Sequence, residues 1–399
     1  MEQLGRPVTA GVLSALVGFT SSCAVVLAGL RGVGASPAQA ASGLLALCVV
    51  QGAVMIWLSR RHRIPLTVAW STPGAALLAG TGVVSGGWRA AVGAFLVVAA
   101  LITVTGLWPR LGRVIASIPV PIAQGMLAGI VFDLCLAPVR GFAAHPWEVG
   151  PVLLAWLVLL RLAPKWAVPA AFAVTLVVVS VDVARRGGAH GALLPHLDFA
   201  LPAFTGAGLF SIAVPLYIVT MAGQNIPGAA VMASYGYQVP WRETMTSTGL
   251  ATAVIASAGG HALNLAAITA SLAASPAADP DPARRWIASS TAGWAYLVLG
   301  LLSAAFTTLV SAAPVDVIGA VAGLALVGTL ASSLSGALSA PEGREAAVIT
   351  FAVAASGLTF LGVGAACWAL AAGLLVRTAL AAPRKRPAAR EPAETSSAG

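Results

Sequence analysis

At 399 residues, 58% hydrophobic and only 9% charged, against about 25% charged in an ordinary soluble domain, the chain reads as an integral membrane protein. Its net charge of +9 does not call for nucleic acid, because the basic residues are scattered between apolar runs and clustered at the C-terminus, where membrane topology accounts for them. No soluble domain of any size fits between the runs, and Cys23, Cys48, Cys135 and Cys367 lie inside them without metal-ligand spacing, as small core residues with no disulfide role.

Apolar runs bounded by charge, proline or glycine give fourteen expected spans, at about 9–30, 38–59, 66–84, 88–108, 118–138, 148–163, 166–184, 207–233, 243–258, 260–276, 285–309, 315–337, 344–364 and 365–381. The first is too long for a removed signal peptide and has no small-residue cleavage pattern. With the N-terminus placed in the cytoplasm, only Arg31, Arg89, Arg140, Arg185 and Arg186 of the 22 basic residues fall on the far side. That bias supports an even number of spans with both termini cytoplasmic. The tail 382–399, APRKRPAAREPAETSSAG, is Pro-rich and charged and is expected to be disordered, with its basic cluster near anionic headgroups.

The longest polar connection, Arg185 to Ala203, divides the chain into 1–186 (spans one to seven) and 204–381 (spans eight to fourteen). An odd number of spans per half makes the halves opposite in orientation, the build of an inverted repeat with a binding site at the repeat interface. The starts of spans five and twelve, Ile118-Pro119-Val120-Pro121 and Ala313-Pro314-Val315-Asp316, show a faint likeness at corresponding positions.

Span three, RIPLTVAWSTPGAALLAG, and span ten, AGGHALNLAAITASLAA, each begin in residues suited to a strand or loop and finish in a short helix-forming run. Ser71 or Thr72 is expected to cap the first half-helix, with Pro73 in its first turn, and Asn264 to cap the second. Two helix N-termini would then face the membrane midplane and favour an anion there. Span eight carries the adjacent amides Gln224 and Asn225 before Ile226-Pro227-Gly228. Amides at that depth must face protein, water or a ligand, and Pro227 is expected to free a carbonyl near Asn225. The plainer alternative is a kinked helix whose amides bond a neighbouring helix.

Ionisable residues inside spans are few: Asp133, His261 and Asp316. His261 can exchange a proton near neutral pH, and Asp133 can instead pair with Arg140. There is no P-loop, HExxH, GxSxG or His/Cys cluster, so the chain is not expected to be an enzyme, to use ATP, or to hold a metal or cofactor.

The run Met221-Ala-Gly-Gln-Asn-Ile-Pro-Gly-Ala-Ala-Val with Ser234-Tyr-Gly-Tyr, together with Ser71-Thr-Pro-Gly-Ala-Ala-Leu-Leu and Gly260-His-Ala-Leu-Asn-Leu-Ala-Ala-Ile-Thr, resembles the benzoate membrane transporter (BenE-type) family of proton-coupled symporters. The resemblance extends from about Arg6 to Ala381. More remotely it reaches the nucleobase:proton symporters and sulfate-type anion transporters. It implies an all-α polytopic membrane protein of 14 spans in a 7+7 inverted repeat, with short strands in spans three and ten. A core domain of spans 1–4 and 8–11 would move against a gate domain of spans 5–7 and 12–14.

By the same resemblance, substrate contacts fall to Trp70, Ser71, Thr72, Pro73, Gln224, Asn225, His261 and Asn264; from the ionisable residues of the spans, proton coupling is expected at His261 first and Asp133 second. Amides and a histidine stand here where nucleobase symporters carry acids, which suits an anionic carboxylate held by donors, its ring against Trp70, Phe19 or Tyr217. The expected activity is import of benzoate or a related aromatic carboxylate with a proton. The alternatives are a passive anion channel or uniporter, or a carrier of another small organic anion or nucleobase. Expected partners are a benzoate-like anion, a proton and membrane lipid, not nucleic acid, with a homodimer left open.

Overall fold

The computed structural model describes residues 2–185 and 194–381. The expected disordered tail and the middle of the connection between the halves lie outside the described residues. The chain begins with α1 (Glu2–Thr20) and α2 (Cys23–Gly32), parted at Ser21 and Ser22. There the Ser21 and Ser22 hydroxyls both donate to the Gly18 carbonyl, at 3.1 and 2.8 Å, and such local bonds compete with the helix ladder. α3 (Pro37–His62) starts in a reciprocal Ser36 and Gln39 capping box. After it come β1 (Val68–Trp70), α4 (Thr72–Thr81), α5 (Gly87–Leu107), α6 (Pro109–Ala116), α7 (Val120–Ala144), α8 (Pro146–Leu162) and α9 (Ala167–Arg185).

Past the connection, one helix runs from Gly208 to Ser234. It contains α10 (Val214–Thr220) and α11 (Ile226–Ser234), with wider π-helical turns at Gly208–Ala213 and Met221–Asn225. Then follow α12 (Trp241–Ala256), β2 (Leu263–Leu265), α13 (Ile268–Ala274), α14 (Trp286–Leu301), α15 (Ser303–Ala312), α16 (Val315–Leu338), α17 (Arg344–Ala355) and α18 (Ala365–Ala381).

Helices cover most of the expected spans, with instructive departures. The first span is two helices, and the eleventh is α14 and α15, bent by 54°. The run 344–364 stops being helical at Ala355, because Gly357, Leu361 and Gly362 take positive φ and Phe360 pairs with Val363 in a small bridge. α6 lies where only a connection was expected. Among the described residues seven helices are long and apolar enough to cross a membrane, or eight if the bent pair is one span.

Two packing groups emerge. In one, α3 lies against α14, α1 against α14, α5 against α12 and α2 against α4; in the other, α7 lies against α16 and α17, α8 against α9, and α17 against α18. Small residues permit these approaches. A methyl at Gly52 would lie 2.6 Å from the Gly293 carbonyl oxygen, and one at Gly293 equally close to that of Gly52, so α3 and α14 touch backbone to backbone.

Candidate functional site at the strand pair

β1 and β2 pair antiparallel inside the first group, with Val68 opposite Leu265, Ala69 opposite Asn264 and Trp70 opposite Leu263. The ladder extends one bond each way: Ser71 N–H donates to the Ala262 carbonyl and Ala266 N–H to that of Thr67, both at 2.9 Å. Two short strands can form within a helical bundle because each completes the other's backbone bonds where lipid offers none. The strand expectation for spans three and ten holds, and the structure brings those two segments together at one place.

α4 begins directly after β1. Ser71 caps it, its Oγ accepting from Gly74 N–H at 3.1 Å and from the Thr220 hydroxyl at 2.8 Å. Pro73 has no N–H, so Thr72, half-buried, carries the first-turn amide that Ser71 does not cap. The second half-helix starts differently from expectation. Asn264 does not cap α13: it lies within β2, and the cap position falls on Ala267 with no side-chain bond. Asn264 instead turns its Nδ2 to the Leu265 carbonyl at 2.7 Å, and its buried Oδ1 has no partner among the described residues.

The two amides of the eighth span part company. Asn225 is fully buried; its Oδ1 accepts the Leu265 N–H at 2.8 Å and its Nδ2 donates to Met221 Sδ at 3.2 Å. It therefore meets the Leu265 end of the free edge of β2, whose other outward N–H, that of Leu263, donates to Thr252 Oγ1 at 3.0 Å. Gln224 keeps 9% exposure and makes no hydrogen bond among the described residues. Pro227 does not break the helix. It sits at the second position of α11, just after the π turn, where its missing N–H is accommodated by the wider geometry. Gly223, half-buried in that turn, faces α4 and α7: a methyl there would meet Leu127 Cδ2 at 3.4 Å and Pro73 Cγ at 3.7 Å. The site lies where the first packing group meets the second.

His261 is fully buried. Its Nε2 donates to the Ser71 carbonyl at 3.2 Å, which ties the segment leading into β2 to the cap of α4. With Nε2 as donor, Nδ1 bears the lone pair, and it has no partner among the described residues. Trp70 is packed away from any opening: its ring meets Phe19 edge-on at 6.1 Å and Tyr296 at 5.7 Å, and its Nε1 donates to Ser22 Oγ at 2.8 Å. Tyr217 is likewise buried and bonds Thr105. Asp133 is not gathered with these residues. It is exposed, ion-paired with Arg140 at 2.8 Å, and lines a cleft of about 210 Å³ with Thr81, Ser211 and Thr359.

Sequence reasoning missed Ser22, Thr220, Gly223 and Leu127. The first three could have been sought as small or hydroxyl residues deep in apolar runs; Leu127 carries no signal of its own. Among the described residues no group of three metal-ligating side chains occurs.

Polar groups held inside a lipid-embedded bundle are costly unless something uses them, and half-length helices starting beside them are the habit of membrane transporters. This is a multi-pass membrane protein of that class. More narrowly, the chain belongs to the benzoate membrane transport protein family, whose model matches residues 5–379, a family of transporters and not of enzymes.

It is 39% identical over 366 residues to the inner membrane protein YdcO of Escherichia coli (strain K12), covering 91% of this chain and 93% of that one. It is 29% identical over 380 residues to the benzoate membrane transport protein of Acinetobacter baylyi (strain ATCC 33305 / BD413 / ADP1), covering 94% and 95%. Its fold resembles the transmembrane domain of a cyanobacterium bicarbonate transporter, BicA, with a TM-score of 0.61 at 15% identity over 90% of this chain and 98% of that one. It also resembles the murine Solute Carrier 26 family member A9 anion transporter in the inward-facing state, with a TM-score of 0.60 at 12% identity over 94% and 68%.

Proposed function

We propose that this protein imports benzoate or a related aromatic carboxylate together with a proton, by alternating access, across a bacterial-type cytoplasmic membrane with both termini in the cytoplasm. The observation that carries the reading is the contrast within the amide pair: Asn225 is spent on β2, whereas the buried Gln224 makes no hydrogen bond among the described residues. An unpaired amide in the turn whose Gly223 packs on Pro73 of α4 offers N–H groups near the positive end of a helix, which suit a carboxylate. Family membership and the name of the Acinetobacter relative favour benzoate.

In this reading the halves form a 7+7 inverted repeat of 14 spans. The strand pair, from segments running in opposite senses, lies at its centre. The group around α3, α5, α12 and α14 is the core, and the group around α7, α8, α9, α16, α17 and α18 is the gate. The carboxylate is held by Gln224 and the Thr72 amide, while its ring rests against Pro73 and Leu127. His261 Nδ1 takes the proton, and the added charge beside the anion makes proton and substrate favour each other's binding.

Uptake of labelled benzoate into proteoliposomes under an imposed pH gradient tests this. Accumulation above equilibrium, competed by aromatic carboxylates but not by uracil or sulfate, is the expected result. Equilibration without accumulation would make the protein a passive uniporter, and competition by uracil would reassign the substrate.

A further inference from the structure

α6 is joined to α5 through the single extended residue Trp108, and to α7 through the three residues 117–119. Being strung between two membrane-length helices fixes its depth at a bilayer boundary. Its sequence, PRLGRVIA, splits cleanly around the helix. Leu111 and Ile115, one turn apart, turn inward, while Arg110 and Arg113, also one turn apart, are exposed with Val114 beside them. Trp108 and Leu107 are each 53% exposed and Val114 is 61% exposed. Basic side chains flanked by an indole and aliphatic groups are the composition of a helix lying among headgroups.

The surroundings add charge of the same sign. The Arg242 backbone packs against Gly106 at the end of α5, and the Arg242 side chain is exposed. The nearest acid in sequence, Glu243, is taken up by Arg61 and His62. Arg110, Arg113 and Arg242 therefore form a basic patch at one bilayer boundary.

We propose that this patch is a binding site for the headgroup of an anionic phospholipid in the leaflet α6 faces, with Trp108 and Val114 seated at the top of the acyl chains. Arginine suits the task because its fork can hold a phosphate by two parallel bonds. The site has a route to the transport machinery. α6 links the two packing groups and touches the 221–225 turn that carries Gln224, so lipid bound here restrains the segment across which the groups move.

Native mass spectrometry of the detergent-solubilised full chain, loaded with equal phosphatidylglycerol and phosphatidylcholine, tests the proposal without reference to what the protein carries. The wild type is expected to retain phosphatidylglycerol in preference. Arg110→Gln/Arg113→Gln should lose that preference by about fivefold per arginine, and the charge-matched control Arg31→Gln/Arg185→Gln, in the last turns of α2 and α9, should keep it. Neither substitution on α6 removes a buried contact, so both variants fold. Equal retention by variant and wild type, equal loss in the control, or no preference in the wild type overturns the proposal. So does an adduct formed as well with free glycerol phosphate as with the lipid.

Discussion

Asn225 gives its side-chain oxygen to the Leu265 amide at 2.8 Å, so a residue of the eighth span completes the outer edge of β2. An edge strand buried in a bundle must have its free N–H groups met, and here the acceptor comes from the π turn at Met221–Asn225. The two amides therefore predict different phenotypes. Asn225→Leu strands a buried N–H and should cost about 1–3 kcal/mol of stability, read as a lower unfolding temperature. Gln224→Leu should leave stability within about 0.5 kcal/mol and weaken benzoate binding by roughly tenfold or more, the value of one hydrogen bond to a charged group. A destabilised Gln224 variant with normal binding would exchange the two roles.

Ser71 joins β1, α4 and α10 at one oxygen, which caps Gly74 N–H and receives the Thr220 hydroxyl. Ser71→Ala should cost about 1–2 kcal/mol, the usual price of a lost cap, and leave the Thr220 hydroxyl without its acceptor. Thr220→Val added to Ser71→Ala should therefore cost less than the two single changes summed, since the pair shares one bond. Strict additivity in thermal unfolding would show that the two side chains are not coupled.

His261 Nε2 holds the Ser71 carbonyl and leaves Nδ1, in a fully buried place, without a partner among the described residues. Glutamine can still donate to that carbonyl but cannot take up a proton. His261→Gln should keep benzoate counterflow between equal concentrations while losing accumulation driven by a pH gradient. Accumulation equal to that of the wild type would remove His261 from proton coupling and leave Asp133, exposed and paired with Arg140, to be tested next.

Much of this fold could be read from residues. Length and hydropathy give the long helices, and the helix-poor openings RIPLTVAW and GGHALN mark the strand segments, because proline and paired glycines there oppose a helix while β-branched residues favour extension. The site was harder to read. Gln224 and Asn225 are chemically near-identical neighbours, and only the position of Leu265, 40 residues on, separates a ligand-facing amide from a structural one. Asn264 looked like a cap since it precedes an apolar helical run, yet its backbone was claimed by pairing with Ala69. Tertiary pairing overrode local preference there. The bond between Trp70 and Ser22 follows no periodic pattern, so nothing in the sequence announces it.

Gly223 offers the sharpest test of where the substrate ring lies. Its backbone is helical, so alanine incurs no strain and should favour the helix by up to about 1 kcal/mol. The added methyl meets Leu127 and Pro73 at 3.4 and 3.7 Å, ordinary contact distances, so Gly223→Ala should fold as well as the wild type. Yet that methyl occupies the space between α4 and α7 in which the proposed site holds a planar ring, and valine would fill it further. Benzoate affinity should fall by about tenfold in Gly223→Ala, the cost of a misfit near one carbon, and further in Gly223→Val, whereas a small carboxylate such as acetate should be affected less. Binding measured by isothermal titration beside unfolding temperatures separates crowding from misfolding. A well-folded Gly223→Val protein that binds benzoate as the wild type does would place the ring elsewhere, and the assignment of Pro73 and Leu127 as its walls would fall with it.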